Sequence, residues 1–232
     1  MEFLIIPFKI FTWIFLLILV SFLMNKIWEN IIPGKIRQII IFPGVIIHEL
    51  SHALGCIITG AKIKEISLFS SRGSYVSHSK PIVPLIGSFI ISFSPIAGSI
   101  LFLFLFSEIF GFTLPSIIFS FDLFYQNFVD TLKESIIFII NNYQFWQFWV
   151  FSYLAISLVI SLSPSKKDFK NSFLSVLFLA FILIIFSYFS LFSDLIISFF
   201  ENYLIGVLGI GFFFGLLSVI ITLPFYLIKK LF

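Results

Sequence analysis

The sequence predicts an all-α polytopic membrane protein of about six transmembrane helices, with a small cytoplasmic β-hairpin and an amphipathic helix in the outer interface. Three observations carry that reading. Hydrophobic residues make up 60% of the 232 positions and charged residues only 11%, and the mean hydropathy is +1.16. A soluble domain with this composition would have to expose large apolar patches. The apolar residues also fall into runs of about 20, the length that crosses a hydrocarbon core as a helix. Between the runs, the charged residues gather in a few short connections.

Taken in order, the expected spans cover residues 3–24, 39–60, 82–106, 145–163, 173–192 and 203–228. The first run is too long for the apolar stretch of a signal peptide and no small-residue cleavage site follows it, so it is read as a span. After the second span, residues 64–69 and 74–79 are short and rich in β-formers. They flank Ser70-Ser71-Arg72-Gly73, a turn sequence, and predict the hairpin. The connection 107–144 is longer. Within it Asp122, Gln126, Asp130, Lys133 and Glu134 recur at helical spacing among Phe, Leu and Val, which predicts an amphipathic helix lying in the interface. A further span at residues 116–140 would invert every element after it. The last span carries Gly206, Gly209, Gly211 and Gly215, the last two as a GxxxG pair suited to close helix packing. No internal repeat or low-complexity linker divides residues 1–232, so a single integral membrane domain is expected.

Six spans put both chain ends on one side, together with the hairpin. That side holds ten basic residues: Lys9, Lys62, Lys64, Arg72, Lys80, Lys166, Lys167, Lys170, Lys229 and Lys230. The other holds four, Lys26, Lys35, Arg37 and Lys133. The imbalance predicts cytoplasmic termini, and Trp28, Trp146 and Trp149 then fall in an outer aromatic belt. A net charge of +3 spread over the chain argues against a nucleic-acid partner. The single cysteine, Cys56, excludes an intramolecular disulfide and a cysteine-rich metal site.

The chemistry concentrates in the second span, at His48-Glu49-Leu50-Ser51-His52. Positions i and i+4 share a helix face, so two of the three histidines in the chain can offer imidazole nitrogens to one ion. Zn2+ accepts neutral imidazoles and keeps a position for water in catalytic sites. Glu49 points about 100° around the helix from His48, a direction suited to a general base acting on that water. Ionisable groups at membrane depth oppose insertion unless a partner or cavity receives them, and a metal with its water is such a partner. A third ligand is required. Asp168, which follows the fourth span in Ser163-Pro164-Ser165-Lys166-Lys167-Asp168, is on the side toward which the motif helix runs. It would have to dip inward to meet His52. His78, on the hairpin, is the alternative ligand, and Glu65 reads as a solvated strand residue.

The segment Phe42-Pro43-Gly44-Val45-Ile46-Ile47-His48-Glu49-Leu50-Ser51-His52-Ala53-Leu54, followed by Thr59-Gly60-Ala61-Lys62 and a hairpin, resembles the site-2 protease family of intramembrane zinc metallopeptidases. Ser94-Pro95-Ile96-Ala97-Gly98 is similar to that family's small-residue packing near the site. The resemblance covers residues 39–168, the catalytic core it implies, with zinc held by His48, His52 and an Asp from a later span, matched here to Asp168. It implies Glu49 as the base and transmembrane segments of other proteins as substrates, cut within the lipid bilayer. The expected location is the cell membrane of a prokaryote. Two departures stand out. The family's Asn-Pro-Asp-Gly or Leu-Asp-Gly around the third ligand is replaced by Ser-Pro-Ser-Lys-Lys-Asp, and no PDZ domain is inserted. The altered ligand motif motivates an alternative: a catalytically inactive membrane protein that retains the metal and binds client helices.

Overall fold

The computed structural model describes residues 5–68, 74–113, 124–162 and 204–231, with isolated positions at 177, 181, 182 and 185. The chain is mostly helical. In order come α1 (Ile5–Ile31), α2 (Gly34–Ile40), α3 (Phe42–Ile58), β1 (Ile63–Ser67), β2 (Tyr75–His78), α4 (Pro84–Phe110), α5 (Phe124–Asn142), α6 (Trp146–Ser161) and α7 (Ile205–Leu231). Three helices, α1, α4 and α7, are long and apolar enough to cross a membrane, and α2 with α3 makes a fourth if that bent pair counts as one span. The 16-residue α6 is apolar but shorter. Apart from those isolated positions, the expected span 173–192 lies outside the described residues, as does the turn 70–73.

The second span is broken where one continuous helix was expected. α2 and α3 meet at an angle of 70°, with Ile41 between them at φ −88° and ψ 0°. Pro43, in the first turn of α3, marks the break: having no N–H, it cannot bond back to the Ile39 carbonyl to carry the ladder of α2 onward. Pro33 is the N-cap of α2. Arg37 then ties α2 to the end of α1, donating to Asn25 Oδ1 at 2.6 Å and pairing with Glu29 at 3.4 Å. At its other end α3 stops at Gly60, whose φ of 69° lies in the left-handed region. Ala61 N–H there caps the Cys56 carbonyl at 2.9 Å.

The hairpin is antiparallel, pairing Glu65 with Ser77, Ile66 with Val76 and Ser67 with Tyr75, and a register shift separates these pairs from Ile63–His78. Its Ile63 and Val76 pack on Cys56, Ala61 and Ile91, seating it against the ends of α3 and α4. α4 runs back antiparallel to α3 and ends at Gly111, φ 71°, where Phe112 N–H reaches the Ser107 carbonyl at 2.8 Å. The end of α4 meets the start of α6 through Phe110 and Trp146, so the connection carrying α5 leaves and returns on one side. α5 packs there through Phe138, which contacts Phe112, Phe148 and Phe151, while Gln126, Asp130, Lys133 and Glu134 are exposed.

The last helix runs opposite to expectation. Gly211 faces Leu17, Gly215 faces Val20 and Met24, and Lys229 Nζ donates to the Asn30 carbonyl at 2.5 Å. Partners advance together, so α1 and α7 are parallel. α7 also meets α6, with Val159 at both Gly211 and Gly215 and with Phe148 and Phe151 at Phe214. This parallel pairing of α1 with α7 differs from the antiparallel pairing that six spans with both termini on one side would require. Lys229 lies at the C-terminal end of α1 beside Asn30, and not with the hairpin as expected. Trp28 also departs from the belt reading, being 8% exposed and packed in the core with Trp13, Met24 and Leu208.

Candidate metal centre

α3 carries the motif between two neighbours, α4 and α6, and small residues set both approaches. On the α6 side, a methyl group at Gly44 would overlap the Ser157 backbone carbonyl. Ser157 Oγ accepts the Gly44 N–H at 2.9 Å, satisfying one of the first-turn amides that a helix leaves unpaired. On the α4 side, Gly98 faces Ser51 and Gly55 faces Ile91 and Ser94. The Ser94–Gly98 segment singled out in the sequence thus packs directly on the motif helix. Ser51 Oγ turns back to the Ile47 carbonyl at 2.6 Å, leaving no polar group unpaired at that contact.

His48 and His52 are half-buried on one face of α3, with ring centroids 4.9 Å apart and planes at 76°. The Nδ1 of His52 lies 2.8 Å from the Ile91 carbonyl oxygen of α4. A carbonyl only accepts, so Nδ1 carries the proton and the ring's lone pair is on Nε2. This is how ligating histidines are oriented from behind. The Ser161 backbone, in the last turn of α6, lies against the His48 ring. His48 Nδ1 is buried without a hydrogen-bond partner among the described residues. Glu49 is 4% exposed, inside the protein rather than on the lipid face that Leu50, Leu54 and Ile57 present.

These features fit a zinc ion at two of its ligands. Two imidazoles share a face, one is fixed with Nε2 as its acceptor nitrogen, and the other holds a buried nitrogen that lacks a partner. Among the described residues no third His, Cys, Asp or Glu completes a group of three. Asp168 lies outside the described residues. His78 does not join the pair: it is exposed on β2, with its Nδ1 bonded to the Ser79 carbonyl at 2.7 Å. Glu65 likewise stays on the hairpin surface, accepting from Tyr75 Oη at 3.1 Å. Sequence reasoning missed the Ile91 carbonyl and Ser157, since neither pattern nor composition says which turns of separate helices will touch. Comparison of the chain with known protein families, with curated proteins and with solved structures returns no match.

Proposed function

We propose that this chain is an intramembrane zinc metalloprotease that hydrolyses peptide bonds in the transmembrane segments of other membrane proteins. The observation that carries the reading is the paired His48 and His52, with His52 braced by the Ile91 carbonyl and Glu49 buried beside them. Zinc is the cofactor on this reading, held by His48, His52 and Asp168. Asp168 follows Ser161 by seven positions, and Ser161 sits at the His48 ring, so the chain leaves α6 within reach of the site. Bound zinc supplies Lewis acidity at the scissile carbonyl. Glu49 takes a proton from the attacking water onto its carboxylate and returns it to the departing amine. α4 and α6, held close by Gly98 and Gly44, keep bulk water from the far side of the site. The substrate helix must unwind locally before its peptide bond is accessible, because the helical carbonyl is engaged by its own hydrogen bond.

The proposed topology places the site in the bilayer, about 9 Å from the hairpin end of α3, counted as six residues from His52 to Ile58. Water and the cleaved strand reach it from that side. Glu49→Gln is expected to retain zinc and to lose cleavage of a reconstituted helical substrate by at least about 100-fold. Cleavage by Glu49→Gln at the wild-type rate would remove Glu49 as the base. Zinc content of the purified protein gives the ligand set: near one per chain in wild type and His78→Ala, and much less in His48→Ala, His52→Ala and Asp168→Ala.

The second reading, a catalytically silent protein that keeps the metal and holds client helices, is favoured by one observation, the Ser-Pro-Ser-Lys-Lys-Asp sequence that replaces the ligand motif of the family the chain resembles. Zinc retained without hydrolysis of any helical substrate would select it.

A further inference from the structure

We infer that Pro95 is a positioning residue for the metal centre, acting by freeing the backbone carbonyl that orients His52. Pro95 lies inside α4. In an α-helix the N–H of residue 95 would bond the carbonyl of residue 91, and proline has no N–H to give. The Ile91 carbonyl is thereby released from the α4 ladder at the turn that faces α3. Two side chains take it up: His52 Nδ1 at 2.8 Å and Ser94 Oγ at 2.7 Å. A carbonyl oxygen has two lone pairs, and these two donors use them.

Packing brings the freed carbonyl to the right place. Gly55, one turn beyond His52 on α3, faces the Ile91 backbone and Ser94, and Gly98 seats Ser51 three residues after Pro95. The approach is close enough for a ring on α3 to reach a main-chain atom of α4. Restoring an N–H at position 95 places three donors on two lone pairs, and the long-range bond to His52 competes with one that its own helix supplies. A ring released from Ile91 turns about its side-chain bonds and loses its preference for the Nδ1–H tautomer. Supporting bonds of this kind are worth about 10- to 100-fold in metal affinity where they hold a ligating histidine. The affinity part of this inference rests on the proposed zinc site. The tautomer part rests only on the fold.

The test uses the full chain reconstituted in lipid bilayers, labelled with 15N-histidine, in four forms: wild type, Pro95→Ala, Pro95→Ala with Ser94→Ala, and Ile96→Ala. His52 signals are identified by their loss in His52→Asn. In metal-free wild type His52 is expected to carry its proton on Nδ1, and Pro95→Ala is expected to give a mixture of tautomers and a zinc affinity lower by about 10-fold or more. Removing the Ser94 hydroxyl from Pro95→Ala vacates a lone pair and is expected to restore both readouts. Ile96→Ala loosens α4 at a buried neighbour, and is expected to lower thermal stability without changing the tautomer. An unchanged tautomer in Pro95→Ala, or the same change in Ile96→Ala, would overturn the inference. No zinc bound by wild type, with the tautomer pattern as described, would overturn the protease reading and leave the role of Pro95 in holding His52 standing.

Discussion

A glycine on α3 and a serine on α6 set how deeply the motif helix is held. Ser157 Oγ binds the Gly44 amide while its carbonyl occupies the space that a Gly44 side chain would need. Ser157→Ala is expected to lower stability by about 1 kcal/mol, the usual worth of one such bond. Gly44→Val has no such mild outcome, because its side chain would meet backbone rather than a flexible tip; a loss of about 1–3 kcal/mol or more is expected, read as a lower midpoint in thermal unfolding. At this scale the sequence announced the two histidines and the glutamate, since their spacing is local to one helix. It did not announce their supports. The Ile91 carbonyl lies 39 positions from His52 and the Ser157 hydroxyl 113 from Gly44, and only the packed helices bring them together.

At the scale of elements, apolar runs located α4, α6 and α7 to within about four residues, because length and hydropathy are what a bilayer selects, while α1 continues to Ile31, past its expected end at residue 24. The break between α2 and α3 was written in Pro33, Gly34 and Pro43, but a hydropathy window averages across prolines set in an apolar run. Packing of α4 on α3 depends on small residues, and a matched pair of variants measures this. Gly98→Val would drive a side chain into Ser51 and is expected to destabilise the protein by about 1–3 kcal/mol and to weaken zinc binding by shifting α4 and its Ile91 carbonyl. Gly34→Ala, at a helical position with nothing within 4 Å, is expected to be neutral or to stabilise by up to about 1 kcal/mol. Equal losses from both would mean that the close approach of α3 and α4 does not govern the fold.

For the whole molecule, the direction of the final helix is the feature that sequence reading got wrong. A count of six spans makes α1 and α7 antiparallel and groups Lys229 and Lys230 with the hairpin, whereas Lys229 meets Asn30 at the end of α1. The parallel pairing of α1 with α7 makes a direct prediction for single-cysteine variants built on Cys56→Ser. A membrane-impermeant maleimide added from one side is expected to label Lys35→Cys and Lys230→Cys together, and to label Lys62→Cys and Lys80→Cys only from the other. Labelling of Lys230→Cys with Lys62→Cys would restore the six-span arrangement and contradict the contacts of Gly211 and Gly215 with α1.

The helices that carry and support the motif are short. α3 has 17 residues and α6 has 16, which at 1.5 Å per residue gives lengths of about 25 Å and 24 Å, against a hydrocarbon thickness of about 30 Å. α1, α4 and α7, each of 27 residues, reach about 40 Å and match the bilayer with length to spare. On the proposed reading, in which α3 and α6 both lie across the bilayer, lipid beside α3 compresses while lipid beside the long helices need not, a hydrophobic mismatch confined to one flank of the protein. Thinning there lowers the interface toward His52, shortening the path for water and tilting any neighbouring helix that enters the compressed zone. Acyl-chain length then becomes a variable of the proposed reaction, with thicker membranes closing the same flank that thinner ones open.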